Sequence, residues 1–84
     1  MVFLSYFVQE FKEIRLKKPI YNRIKAVLAE KGKTNNWLAE KLDMNTNTIS
    51  KWCRNDMQPR IENLFQVAEA LEVDVRELLV STKS

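Results

Sequence analysis

The sequence predicts an all-α domain, a compact bundle of five helices preceded by an apolar N-terminal extension. Three observations predict this fold class. The chain of 84 residues is long enough for one small domain, and 45% of its residues are hydrophobic, enough for a core. One glycine and two prolines are fewer turn residues than strands joined by tight turns require. In successive segments, apolar residues recur at the three- and four-residue spacing of a helix face.

Residues 1–18 form the predicted extension, which opens on an apolar run and ends in basic residues. The spacing of Leu4, Phe7 and Phe11 would give one apolar helix face, whereas alternation through Val2–Val8 would give a strand, and both interpretations stay open. A signal peptide carries its positive charge before the apolar run, which is the reverse of the order here. We expect the extension to contact the domain, a second copy or a partner protein; the alternative is an extension without a role.

The first helix of the domain is predicted over Ile20–Lys31. Pro19 precedes it, in a position that suits the start of a helix. Gly32 follows it, where a glycine with positive φ commonly ends a helix. The residues expected to share its buried face are Ile20, Ile24, Val27 and Leu28.

Two short helices are predicted next, joined by a tight turn. Thr34 is a preferred N-cap for the second helix, and Asp43–Asn45 interrupts the helical pattern. Asn45 then caps a third helix from Thr46 to about Arg54. The apolar residues expected to hold the pair together are Leu38, Ala39, Leu42, Met44, Ile49 and Trp52. Two short helices with a polar outer face on the second are typical of a helix-turn-helix. Trp37 is predicted to cover the core edge.

The remainder of the chain is predicted to be a loop, two helices and a tail. The fourth helix spans Ile61–Leu71, after the loop that ends at Pro59. Asp74 caps a short fifth helix, and residues 81–84 are expected to fray. The side chains predicted to turn inward are Leu64, Val67, Ala68, Leu71, Val75, Leu78 and Leu79.

Composition excludes several classes of function. The chain has one cysteine, Cys53, and no histidine, so we expect no internal disulfide, no metal site and no thiol–imidazole dyad. Gly32 alone cannot build a phosphate loop, and no apolar run reaches the length of a membrane span. We therefore predict a cytoplasmic protein that is not an enzyme, has no cofactor and does not contact membranes. The net charge of +3 permits a polyanionic partner without requiring one.

The order of these residues resembles the Cro and phage-repressor family of helix-turn-helix domains, also called the xenobiotic-response-element family. The resemblance covers about Ile20–Val80, and we assign residues 19–80 to the domain. It rests on the register of Ile24, Leu28, Gly32, Thr34, Leu38, Ala39, Leu42, Met44, Thr48, Ile49, Ser50, Trp52, Pro59, Leu64, Val67, Ala68, Leu71, Val73 and Leu78. It implies a lambda-repressor-like five-helix bundle, working as a homodimer on a two-fold-symmetric operator.

Four positions depart from the family pattern. The family usually has glycine in the turn, where this chain has Asp43, a residue type that tolerates the left-handed conformation. It often has glutamine, a phosphate ligand, where this chain has Asn35. Glutamate is common at the position of Cys53, and glycine at the position of Asn55, which can also adopt the left-handed conformation.

The resemblance also implies which residues touch double-stranded DNA. The third helix would lie in the major groove and read bases with Thr46, Asn47, Ser50 and Lys51. The residues expected to bind phosphates are Asn35, Asn36, Thr48, Arg54, Gln58 and Arg60. Asp56, in the loop after the third helix, is expected to point away from a phosphate.

Two functions are compatible with these residues. The first is a sequence-specific transcriptional regulator, a small repressor that occupies a palindromic operator as a homodimer. The alternative is an antitoxin that neutralises a toxin protein and regulates its own operon, with the apolar extension as a partner-binding element. Binding-site selection from random DNA separates the two, because only the first requires a strong palindromic motif.

Overall fold

The computed structural model describes residues 19–83, and these contain four α-helices followed by one short 3₁₀ helix. Predictions for residues 1–18 and for Ser84 lie outside the described residues. The elements are α1 (Ile24–Glu30), α2 (Asn35–Leu42), α3 (Thr46–Cys53), α4 (Ile61–Leu71) and the 3₁₀ helix (Val75–Leu78). The all-helical class is confirmed. The predicted count of five α-helices was wrong, because the last element is a 3₁₀ helix.

The last helix is short because both of its ends are held. The Asp74 side chain accepts a hydrogen bond from the Arg76 amide at 2.8 Å, which starts the turn. The Arg76 side chain also bonds the same carboxylate, and these hydrogen bonds keep the pKa of Asp74 below its usual value. At Leu79 the backbone is already extended, so only four residues remain for a helix. Four residues favour the tighter i→i+3 pattern, here from the Leu79 amide to the Arg76 carbonyl.

The first helix begins at Ile24, so the predicted start at Ile20 was wrong. The preceding residues run beside the C-terminal end of the domain and form an isolated antiparallel bridge between Asn22 and Leu79. The Arg23 amide donates to the Leu78 carbonyl at 2.8 Å, and the Val80 amide donates to the Tyr21 carbonyl at 3.0 Å. This pairing uses backbone groups that a longer helix would have needed.

Two side chains predicted to turn inward are exposed because of that pairing. Ile20 is 64% exposed and Leu79 is 42% exposed. Both lie on extended backbone beside the bridge, where the helical spacing that predicted their burial does not apply.

The other predicted caps are confirmed. The Thr34 hydroxyl accepts from the Trp37 amide at 3.0 Å, and the Asn45 side chain accepts from the Asn47 amide at 2.7 Å. Gly32 ends α1 with a φ of 67°, and Asp43 ends α2 with a φ of 55°. Aspartate at this position therefore adopts the left-handed conformation that the family assigns to glycine.

One core joins all five elements. Its buried residues are Ile24, Val27, Leu28, Leu38, Ala39, Ile49, Trp52, Cys53, Leu64, Val67, Ala68, Leu71 and Leu78. Trp37, Leu42, Met44 and Val75 are partly buried and pack against its edge. The predicted inward faces are therefore confirmed for α2, α3 and α4, while in α1 only the residues from Ile24 onward are buried.

Asn22 is the one buried polar side chain among residues 19–83, and it is 3% exposed. Its amide nitrogen donates to the Trp52 carbonyl at 3.0 Å and to the Gln58 side-chain oxygen at 2.8 Å. Its side-chain oxygen accepts from the Ile24 amide at 3.0 Å, which caps the start of α1. A single amide thus ties α1 to the C-terminal end of α3.

Asn55 completes this connection from the other side. Its side-chain oxygen accepts from the Tyr21 and Asn22 amides at 3.0 and 3.1 Å, and its nitrogen donates to the Asn22 carbonyl at 3.2 Å. Asn55 has a φ of 59°, the left-handed conformation predicted for it. The loop after α3 is therefore held against the chain segment before α1.

We expect Asn22→Ala to lower the free energy of unfolding by about 2–3 kcal/mol, since the buried Trp52 carbonyl and the Ile24 amide would lose their partner. This would be a large share of the stability of so small a domain. Urea denaturation followed by circular dichroism measures the change. Asn36→Ala is the control because Asn36 is exposed, and it should change stability by less than about 0.5 kcal/mol. Equal stabilities of the two variants would contradict the role of Asn22.

Candidate nucleic-acid interface

Helices α2 and α3 are separated by a turn of only three residues. The Met44 amide donates to the Ala39 carbonyl at 2.8 Å and the Asp43 amide to the Glu40 carbonyl at 3.2 Å, so the last carbonyls of α2 are satisfied within the turn. Ala39 and Leu38 on α2 and Ile49 on α3 are buried in the same core. The two helices therefore form a unit in which the position of α3 is determined by packing against α2.

One side of α3 is buried and the opposite side is open to solvent. Ile49 and Trp52 are at most 2% exposed, and Cys53 is also buried. The outer residues of the helix are exposed at Thr46, Asn47, Lys51 and Arg54 and half-buried at Thr48 and Ser50. All four residues predicted to read bases thus lie on the accessible side of one short helix.

The electrostatics of both helix N-termini suit a polyanion. Neither α2 nor α3 has an acidic residue in its first turn. The positive ends of the two helix dipoles are therefore not neutralised by a carboxylate in the first turn. Lys51 adds a positive charge in the last turn of α3.

Asn35 connects the two helices by hydrogen bonds. Its amide nitrogen donates to the Ser50 hydroxyl oxygen at 3.2 Å, and the Cys53 thiol donates to its amide oxygen at 3.4 Å. Asn35 is half-buried, in keeping with these contacts. Burial raises the pKa of the Cys53 thiol, and the positive charges of Lys25 and Arg54 oppose this rise. Neutral Cys53 keeps the proton that it donates to Asn35.

Comparison with known proteins gives the family. A family model described as "Helix-turn-helix", of the Cro/C1 type, matches residues 24–78, which include all four α-helices. The chain belongs to the Cro/C1-type helix-turn-helix family. The matched residues include α2 and α3, the two helices joined by the three-residue turn.

A solved structure supports the same assignment. The chain is similar to one reported as "Crystal structure of a putative DNA-binding protein from Bacteroides fragilis", with 56% sequence identity and a TM-score of 0.70. The similarity covers 70% of this chain and 95% of that chain. No curated protein sequence matches the chain.

The residues predicted to bind phosphate are in three different situations. Asn36 and Arg60 are exposed, near the N-termini of α2 and α4. Arg54 is exposed but paired, since its Nε lies 2.8 Å from an oxygen of Asp56. Both ends of the Gln58 side chain are engaged: its amide oxygen accepts a hydrogen bond from Asn22, and its amide nitrogen donates one to Asn55.

Trp37 covers the edge of the core, as predicted. It is half-buried and packs against the core cluster. Two lysines lie over its ring, with Nζ atoms 4.9 Å (Lys33) and 5.7 Å (Lys41) from the ring centroid. Cation–π attraction therefore adds to the packing that holds this side chain on the domain.

Sequence reasoning missed the roles of Asn22 and Asn35. Asn22 lies one residue before the N-cap position of α1, so capping preference gave no signal for it. Its bonds to Trp52 and Gln58, and those of Asn35 to Ser50 and Cys53, join residues 15 to 36 positions apart and have no local signal.

The described part of the chain has neither a metal-binding cluster nor a membrane-spanning helix. Between residues 19 and 83, no group of three cysteine, aspartate or glutamate side chains is placed to hold a metal ion. None of the helices in the same range is long and apolar enough to cross a membrane.

Proposed function

We propose that this protein is a sequence-specific transcriptional regulator that reads the DNA major groove with α3. The observation that carries the proposal is the polar, accessible side of α3, held in place by Ile49 and Trp52 in the core. Membership of the Cro/C1-type family supports DNA as the partner. The proposed activity is binding, without catalysis.

Each proposed base-reading side chain has a suitable chemistry. Asn47 has an amide that can pair with both N6 and N7 of adenine, and Lys51 can donate to O6 and N7 of guanine. Thr46 can bond to either kind of base, and its methyl group can contact the thymine methyl. Asn47 and Lys51 are four residues apart and therefore neighbours on the helix surface. Ser50 lies to one side of this pair, toward Asn35 of α2.

Phosphate contacts would set the orientation of the domain on the duplex. Asn36, at the N-terminus of α2, and Arg60, before α4, are exposed and are the proposed principal ligands. Arg54 would add to them while Asp56 holds its guanidinium in one orientation. The remaining proposed phosphate ligands are Asn35, Thr48 and Gln58.

We propose that two copies occupy a palindromic operator and repress transcription by blocking it. Recognition helices in such a dimer lie about 34 Å apart, one turn of the duplex. The extension of residues 1–18 would contribute to the self-contact. What supports this is an apolar surface where the extension joins the domain, formed by Ile20, Tyr21, Leu79 and Val80, all at least 38% exposed.

The same apolar surface supports the second candidate function, an antitoxin that binds a toxin protein. Exposed apolar residues that lie together are a common feature of protein contacts. An antitoxin of this fold could also bind DNA, so the two functions share the α3 interface. They differ in the protein that binds the surface around Tyr21, which is a second copy of this chain in the repressor and a toxin in the antitoxin.

We expect Asn47→Ala and Lys51→Ala each to weaken binding to the selected operator by about 1–3 kcal/mol and to relax the preference at one base pair of each half-site. Selection from random DNA, followed by titration at two salt concentrations, measures both effects. Lys31→Ala is the charge-matched control, because Lys31 lines a groove with Leu71 and Glu72 rather than lying on α3. If Lys51→Ala behaved like Lys31→Ala, the assignment of α3 as the reading helix would be wrong.

Removing residues 1–17 should lower the molecular mass measured by light scattering, because the proposed self-contact would be lost. Phe65→Ser in the full chain is the control: Phe65 is an exposed apolar residue of α4, 57% exposed, and its replacement should leave the mass unchanged. A mass that still corresponds to two shortened chains would exclude the extension as the dimer contact. A selection experiment that returned no palindromic motif would favour the antitoxin.

A further inference from the structure

The hydrogen bond between Asn35 and Ser50 carries an inference about how Ser50 reads DNA, and this inference rests on the proposed function. We propose that Asn35 is a positioning residue that fixes the hydrogen-bonding direction of Ser50, so that Ser50 donates to an acceptor on a base edge. Asn35 would then act on specificity through Ser50, in addition to any effect of α2 on phosphates.

The direction of the bond follows from the orientation of the Asn35 amide, whose nitrogen lies toward Ser50. The amide nitrogen of asparagine can only donate, so the Ser50 oxygen, 3.2 Å away, must accept. The orientation of the Asn35 amide is supported by Cys53, whose thiol donates to the amide oxygen at 3.4 Å. The two contacts place the nitrogen toward Ser50 and the oxygen toward Cys53.

The proton of the Ser50 hydroxyl remains available. A serine inside a helix often donates to the carbonyl four residues earlier, which would be that of Thr46. Within residues 19–83, the Ser50 hydroxyl instead accepts a hydrogen bond from Asn35, and no group in that range accepts its proton. Ser50 is half-buried, so part of the residue is accessible to solvent. A hydroxyl whose oxygen accepts a hydrogen bond is also polarised into a better donor.

A donor at this position selects among bases. In the major groove, guanine presents N7 and O6 and thymine presents O4 as acceptors, whereas cytosine presents only the N4 donor. Adenine also has an acceptor, N7, so Ser50 held in this way should disfavour cytosine alone at the base that it faces. Without Asn35 the hydroxyl could rotate and present either its proton or its lone pairs.

Asn35→Asp reverses the direction of the bond with almost no change in shape. A carboxylate can only accept, so Ser50 would donate to it and present its lone pairs to the DNA. Cytosine, disfavoured by the wild type, should then gain relative to guanine and thymine at one position of each half-site by roughly 3- to 10-fold. Aspartate is favourable in the first turn of a helix, so the variant should fold, and thermal melting checks this.

Two further variants separate this effect from simple charge repulsion. Asn36→Asp adds the same charge at the next, exposed position, and it should weaken binding to all sequences without changing the preference. Ser50→Ala should relax the preference at one position and so identify the base that Ser50 faces. In the Ser50→Ala background, Asn35→Asp should no longer alter that preference.

Selection from random DNA with the wild type and these variants gives distinct outcomes. A changed preference in Asn35→Asp alone, at the position that Ser50→Ala relaxes, supports the proposal. A preference unchanged by Asn35→Asp, or still changed by it when Ser50 is alanine, overturns the positioning role while leaving the proposed function intact. A wild type that selects no motif overturns both.

Discussion

The buried amide of Asn22 is the constraint on which the arrangement of this domain depends. It bonds to the start of α1, the C-terminal end of α3 and the loop beyond α3. An amide at 3% exposure without these partners would destabilise the domain, so the three chain segments must meet at this point. Asn55 adds bonds from the loop back to the same segment. Helix α3 is thereby attached to α1 by polar contacts as well as by packing.

The orientation of α3 results from different interactions at different points. Ile49 and Trp52 hold its inner side in the core, and Asn22 holds its C-terminal end. Asn35 bonds to Ser50 and Cys53 in its second half. Rigid support of this kind is what base reading requires, because side chains on a loosely held helix would not meet base edges at hydrogen-bond distance.

Local signals predicted much of the fold and the side of α3 proposed to face DNA. The caps at Thr34 and Asn45 and the left-handed position at Asp43 depend on residues close in sequence, and each was predicted correctly. The start of α1 was wrong, because the helical spacing from Ile20 continued into a segment that pairs with residues near Leu79. Propensity and periodicity describe a chain and its near neighbours, whereas that pairing joins residues more than 50 positions apart.

The sequence by itself determined the helical class, the inward faces of α2, α3 and α4, and the family, because spacing, capping residues and register are local properties that a single chain displays. Only the tertiary structure decided where α1 begins, that the last helix is a 3₁₀ helix, and that Asn22 is buried. It also decided the partners of Asn35. A polar side chain has several hydrogen-bonding groups but no intrinsic partner, and packing of the helices chooses which distant groups come within reach.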